Sequence, residues 1–169
     1  MRLQDRAIAD LERVWDVLRS AEVCRVAFCN EDWPYIVPMN FGILDERLYF
    51  HCAATGTKLD LLEANPNVCF EVEANIKIIP GDKACGWSVR YQSVIGFGRA
   101  SVVEDPDEKR AGIRALLSQY TEGALAQCTE SALAQYTDRK LEIPQTISSD
   151  TVILRIDIHS LEGKESTGD

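Results

Sequence analysis

Histidine is scarce in this 169-residue chain. Only His51 and His159 are present, which excludes a multi-histidine metal site. The six cysteines, Cys24, Cys29, Cys52, Cys69, Cys85 and Cys128, form no CxxC pair, and several sit inside apolar runs. That pattern implies reduced, buried thiols in a cytoplasmic protein and not a disulfide framework; zinc on scattered cysteines is the remaining metal option. There is no run of Lys or Arg, and 18 basic against 27 acidic residues leave a formal charge of −9. The basic footprint that nucleic acid or an anionic membrane requires is therefore missing. No apolar stretch is long enough to span a bilayer, and Met1–Ala9 carries Arg2, Asp5 and Arg6 where a leader would carry an apolar core. An anion can still bind, at a local site that overrides the global field.

What is present is a globular composition, 46% hydrophobic, in a length that suits one domain over residues 1–169. Ile8, Leu11, Trp15 and Leu18 make one apolar stripe and predict a helix over 5–20. Strands are expected at 23–29, 35–43 and 47–52, with turns at Trp33-Pro34 and Asp45-Glu46. On the third of these, Leu48, Phe50 and Cys52 share one face, and Tyr49 and His51 the other. Thr57-Lys58-Leu59-Asp60 has capping-box spacing and predicts a helix over 57–64 that stops at Asn65-Pro66. Residues 67–73 alternate as a half-buried strand, 74–87 are ambiguous, and 89–103 is the longest strand candidate. A helix over 107–120 follows, then a strand over 150–159 and a polar, frayed tail over 162–169. Between them, Ser118-Gln119-Tyr120-Thr121-Glu122 recurs in altered form at 126–130 and 134–138, a local duplication. Some six strands joined by hairpins or short helices imply a mainly β, antiparallel barrel with peripheral helices.

Three stretches are candidates for chemistry. In Val37-Pro38-Met39-Asn40, proline cannot donate to a ladder, so Pro38 marks an edge or a place where the backbone leaves its neighbour, and the freed groups can face a ligand or solvent. In His51-Cys52-Ala53-Ala54-Thr55-Gly56-Thr57-Lys58, a strand runs through small residues into a helix start, whose unpaired N–H groups suit phosphate. Lys58 would add a full charge there; the plainer alternative is an ordinary connection with a solvated lysine. In Trp87 to Gly98, Gly96 and Gly98 share a face and need a close-packed neighbour, either a flat ligand or another backbone. Trp87, Arg90 and Tyr91 could line a ring system or simply be core aromatics beside a bulge. Taken together, the three would serve a phosphorylated planar cofactor. His51, the one histidine near them, is either a structural residue or a proton carrier.

The order of motifs resembles the pyridoxamine 5′-phosphate oxidase-like split-barrel flavoproteins, in particular their nitroimidazole-resistance branch. The resemblance rests on Pro34 to Gly42, Leu48 to Asp60, Asn65 to Val72 and Tyr91 to Ala100. It implies a six-stranded antiparallel FMN-binding split barrel that works as a homodimer, with two FMN molecules in clefts shared by the subunits. Val37, Pro38, Met39 and Asn40 would lie along the flavin ring. His51, Cys52, Ala53, Thr57 and Lys58 would hold the ribityl chain and phosphate. Trp87, Arg90, Tyr91 and Ser93 would reach across from the second subunit, and His51 is the catalytic candidate. Residues 121–149 match nothing expected of the family, and the basic residues that bind substrate phosphate in pyridoxamine phosphate oxidase are not recognisable.

Three functions follow as expectations. The first is an FMN-dependent oxidoreductase that takes electrons from NAD(P)H and reduces a small molecule, such as a nitroaromatic. The second is a flavin or haem carrier without turnover, with Cys52 or His51 as an iron ligand. The third is a dimeric scaffold without a cofactor.

Overall fold

The computed structural model describes residues 4–121 and 150–167. A 3-10 turn at Gln4–Arg6 leads into β1 (Ala7–Ile8) and α1 (Leu11–Ser20). There follow β2 (Cys24–Phe28), β3 (Tyr35–Met39), β4 (Phe41–Leu44), β5 (Arg47–Ala53), α2 (Thr57–Ala64) and β6 (Asn67–Ile79). The described chain ends with β7 (Ser88–Val102), α3 (Pro106–Thr121) and β8 (Thr151–Ser166).

All pairings are antiparallel, in the order β3-β2-β6-β7-β8-β5-β4, with β1 on β8. The two edges of this order, β3 and β4, are separated in the chain by Asn40 alone. One residue spans at most ~3.6 Å, so the far edge of the sheet is brought back to the near one and the sheet curls into a barrel. The sheet has eight strands where six are expected. The difference arises because the 35–43 segment breaks at Asn40 into strands with different partners, and because Ala7–Ile8 adds a short rung on β8.

The interior is the alternate-residue set that the hydrophobic pattern marks. Cys24, Val26 and Phe28, then Leu48, Phe50 and Cys52, then Val68, Phe70 and Val72 all point inward. Val94, Leu154 and Ile156 join them, and α1 closes one end with Trp15 and Leu18. Tyr49, Val103 and Ile153 form a second cluster on the outer wall, with Ile113 of α3 packed against it.

Three further expectations are corrected, and one stretch left open is resolved. The first helix begins at Leu11, not at residue 5, because the Asp10 side chain accepts a hydrogen bond from the Glu12 amide (3.0 Å) and sets the helix start. Ile8 of the apolar stripe is buried from a strand instead. The residue at the N-cap position of the helix over 57–64 is Gly56, which has no side chain to cap with, and not Thr57; at φ 128° Gly56 is suited as no side-chain-bearing residue is. The ambiguous stretch continues β6 through an irregularity at Ala74/Lys77, where Asn75 adopts φ 56°. The tail is not frayed as far as Ser166: Gly163, Lys164, Glu165 and Ser166 pair with Val94, Ser93, Gln92 and Tyr91. Polar composition misleads there because the ladder to β7 is made by backbone, and Ser166 is itself buried. The repeat at 126–130 and 134–138 lies outside the described residues.

Candidate functional site

The register of two ladders defines the site. β4 pairs with β5 as Leu44–Arg47, Ile43–Leu48, Gly42–Tyr49 and Phe41–Phe50. The next rungs would be Asn40–His51, Met39–Cys52 and Pro38–Ala53, and none of them forms. Instead Met39, Pro38 and Val37 pair with Cys24, Arg25 and Val26 of β2, while His51, Cys52 and Ala53 pair with Ile153, Val152 and Thr151 of β8. The wall therefore forks at Asn40. One prong carries Val37 to Asn40 and the other His51 to Ala53, so two stretches singled out separately in the sequence line the two sides of one opening.

On the first prong β3 is an edge strand, as Pro38 requires. Pro38 and Asn40 are exposed, Val37 is half-buried, and Met39 turns into the core. On the second prong His51 and Ala53 are exposed and Cys52 is buried. Burial pushes the Cys52 thiol up, while the Lys58 ammonium beside it pulls the other way. Facing the core, Cys52 does not present its sulfur to a group lying in the opening. Ala53 leads through Ala54 to α2, which packs on β2 through a leucine-rich face that includes buried Leu62. The first turn of α2 has no side-chain cap. The amides of Leu59 and Asp60 both turn back to the Gly56 carbonyl (2.8 and 3.4 Å). Uncapped first-turn amides, the positive end of the helix dipole and Lys58 make this end electropositive in an acidic protein; Asp60, in the same turn, works against it. This donor set fits a phosphate-bearing ligand.

Trp87, Arg90, Tyr91 and Ser93 are not brought to the fork by the pairings within one chain. Beyond Val72 β6 has no β2 partner, and before Tyr91 β7 has no β8 partner, so 77–79 and 88–90 form a two-stranded arm. Trp87 and Arg90 are exposed on it, and Tyr91 and Ser93 are half-buried near its base. Gly96 and Gly98 serve the barrel and no flat ligand. A Cβ on Gly96 would enter the Phe70 ring, and one on Gly98 would strike the backbone of β8 at Asp157.

Sequence reasoning missed the residue at the crotch of the fork. The Tyr120 hydroxyl accepts a hydrogen bond from the Phe41 amide (3.2 Å) and donates to the Glu22 carbonyl (2.8 Å). The pKa of this phenol is raised chiefly by burial, with the Phe41 amide and the nearby Asn40 side chain acting against it. Next to it, Gln119 donates from Nε2 to the Arg19 carbonyl (3.0 Å) and, at 3.4 Å, to those of Leu18 and Ala21, satisfying the end of α1. The octad repeat flagged both residues, but partners about a hundred residues away in sequence leave no local signal.

A cavity of about 680 Å³ lies elsewhere, between α1 and α3, lined in part by Arg13, Asp16, Val17, Ala115 and Gln119. Its Arg13 pairs with Glu165 and its Asp16 with Arg19. It has no part in the fork.

A family profile described as pyridoxamine 5′-phosphate oxidase matches residues 10–165. The chain belongs to this family. The fold recurs in solved structures. One is a candidate 5-nitroimidazole antibiotic resistance protein of Bacteroides thetaiotaomicron VPI-5482, 24% identical, with TM-score 0.74 over 94% of this chain and 86% of that one. An FAD and heme binding protein of Mycobacterium smegmatis is 21% identical, with TM-score 0.73 over 96% of this chain and 74% of that one. An FAD-binding protein of Mesorhizobium loti is 26% identical, with TM-score 0.62 over 96% and 98%. Among curated proteins, an uncharacterized protein of Rhizobium meliloti (strain 1021) is 33% identical over 61 residues. That match spans 36% of this chain and two fifths of the relative's length. The split-barrel resemblance read from the motifs is thus borne out. No described helix is long and apolar enough to cross a membrane.

Proposed function

We propose that this protein is a flavin-dependent oxidoreductase whose FMN lies in the fork between β3 and β5, with its phosphate at the start of α2. The observation that carries this reading is the fork itself. A barrel wall that is otherwise paired opens where the two candidate stretches face each other, and one prong leads straight into an uncapped helix start beside Lys58. When bound, the flavin supplies hydride and electron transfer between NAD(P)H and a small acceptor, for which a nitroaromatic is the first choice. The chain's own residues do the rest. The β3 edge offers backbone polar groups to the ring, with Pro38 contributing no donor. Asn40 offers a side-chain amide at the crotch. The α2 amides and Lys58 neutralise the phosphate, and Thr57 stands exposed in the same turn. His51, exposed on the second prong, is placed to hold or move a proton at the rim.

The reading includes a homodimer. The register lines up Ile36, Ala27, Cys69 and Phe97 across the outer face of β3, β2, β6 and β7, and Phe97 is 53% exposed. Ile76, Ile78, Trp87 and Val89 extend this apolar surface along the arm. Grouped exposed apolar side chains of this kind support an interface, and an arm from each subunit would deliver Trp87, Arg90, Tyr91 and Ser93 to the other's fork. FAD carries the same ring, ribityl chain and first phosphate as FMN, and the Mycobacterium smegmatis and Mesorhizobium loti neighbours are described as binding it, so flavin is the class that these neighbours support. Haem remains the second option through the Mycobacterium smegmatis neighbour, with His51 the ligand that stays accessible.

The test is an absorbance scan of the purified protein with FMN or FAD added, followed by anaerobic mixing with NADPH and a nitroimidazole. The expected result is a dimer by light scattering, tight FMN uptake, bleaching by NADPH and reoxidation by the nitro compound. No flavin uptake, or a Soret band in its place, overturns the assignment. Flavin that stays oxidised overturns the oxidoreductase.

A further inference from the structure

We propose that Tyr120, at the end of α3, is a positioning residue for flavin binding: its hydroxyl sets the angle at which the wall forks and so holds Val37 to Asn40 against the cofactor. This rests on the reading of the fork as the flavin site. A fork leaves backbone groups without their ladder partners. Where β3 leaves β5, the rungs beyond Phe41–Phe50 are lost, and a buried amide at the last rung needs a new acceptor. Phe41 is fully buried, and its N–H finds the Tyr120 oxygen at 3.2 Å. The same hydroxyl spends its own proton on the Glu22 carbonyl (2.8 Å), in the turn just before β2, the strand that carries β3. The Asn40 side chain is close enough to act on this phenol. One phenol thus ties the first residue of the closed wall and the lead-in to β2 to a single helix end, beside the crotch residue Asn40. Neither tie touches the phosphate end of the cleft, so Tyr120 acts through Phe41, next to the crotch, and not as a catalytic residue.

Gln119 supplies the control. It docks the same helix end, but its three contacts go to the end of α1 and none to the fork. A loss that came from loosening α3 in general would follow from either substitution. A loss specific to the fork would follow only from removing the phenol.

The experiment titrates the intact protein with FMN. Tyr120→Phe keeps the ring and is expected to raise the FMN dissociation constant about tenfold, the value of one net hydrogen bond, and to shift the visible bands of the bound flavin. Gln119→Ala is expected to lower the melting temperature and leave FMN affinity within about twofold. Coupling is reciprocal, so the wild type also tests the idea without any substitution, and would do so if Tyr120→Phe did not fold. Amide hydrogen exchange at Phe41 is expected to slow when FMN binds. Phe41 exchange that FMN leaves unchanged overturns the proposal, as does a Tyr120→Phe variant that binds FMN like the wild type. Equal losses of affinity in the two variants overturn it as well. A wild type that takes up no FMN overturns the flavin site and this inference with it; the other results overturn the role of Tyr120 alone.

Discussion

The barrel has a closed side and an open side, and they are built from different kinds of contact. On the closed side β6, β7 and β8 run side by side through long ladders, each with one register shift, and the inner face is filled by buried side chains. Gly96 is glycine there because the Phe70 ring occupies the space of its Cβ. On the open side β3 and β5 part company within one residue, and what lines the gap is edge backbone, an amide side chain, a histidine and a helix start with no cap. The closed side spends its sequence on packing and the open side leaves groups unpartnered. Substitutions on the closed side should therefore act on stability, and those on the open side on ligand binding.

The largest effects belong to the closed side. Phe70→Ala removes a fully buried ring from the centre of the wall and is expected to cost about 3–5 kcal/mol in urea unfolding. Gly96→Ala should cost about 1–3 kcal/mol by overpacking against that ring. The two should not add: with Phe70 already truncated the new methyl has room, and the Gly96→Ala penalty should largely vanish. Full additivity would mean that Gly96 is required by its backbone and not by the ring.

The comparison sharpens with Lys58→Ala on the open side. Lys58 is half-buried at the α2 start, and no ion pair holds it among the described residues. Unfolding free energy should stay within about 0.5 kcal/mol. FMN affinity should fall by about 1.5–3 kcal/mol, the range for a hydrogen bond to a charged group, which is roughly ten- to a hundredfold. Isothermal titration and a urea curve on the same preparation check both halves. A Lys58→Ala variant that loses stability and keeps its affinity would reverse the assignment of the two sides.

The two sides were also unequally legible in the sequence. Alternation made the closed wall plain: Val68, Phe70 and Val72 point in, and Val152, Leu154, Ile156 and Ile158 share a face, because burial on one side of a strand imposes a period of two. Pro38 announced an edge because it lacks an N–H. Three features were not legible. The break at Asn40 has no breaker residue; it is forced by the closing of the barrel, which brings β3 to β2 and β4 to β5. The strand over 162–166 is polar, and it is ordered by pairing with β7 rather than by its own side chains. Tyr120 sits on a helix whose sequence says nothing of Phe41, some 79 residues away. The glycines were half-legible: the need for a close neighbour was clear, but whether that neighbour was a ligand or Phe70 depended on register.

The smallest expected effect lies at the seam where α3 is fastened to the outside of β5 and β8, beside the closed wall. Asp105 caps α3 by accepting from the Glu108 amide (2.8 Å). The Glu108 carboxylate then reaches the wall, accepting from the Tyr49 hydroxyl (3.0 Å) and from Arg155 (2.9 Å). The Arg155 guanidinium, with help from Tyr49 and Arg47, holds the Glu108 carboxyl below the usual carboxylate range, against a smaller opposing effect of burial. The folded state therefore releases this proton more readily than the unfolded chain does. The stabilisation is complete above the unfolded value, about 4.3, and is lost as pH falls through the lower folded value. The carboxylate is partly exposed, so the contribution should be no more than about 1 kcal/mol. Glu108→Gln should lower stability at neutral pH by that amount and leave it nearly unchanged in strong acid, so the wild-type and variant curves converge as pH falls. Glu71 on β6 should behave in the opposite sense, because burial pushes its carboxyl up. Its ionisation works against the fold, and Glu71→Gln should steepen the rise in stability from acid to neutral pH. Urea midpoints measured across that range for both variants separate the two. Parallel curves for Glu108→Gln and wild type would mean that Arg155 does not fasten α3 through this carboxylate.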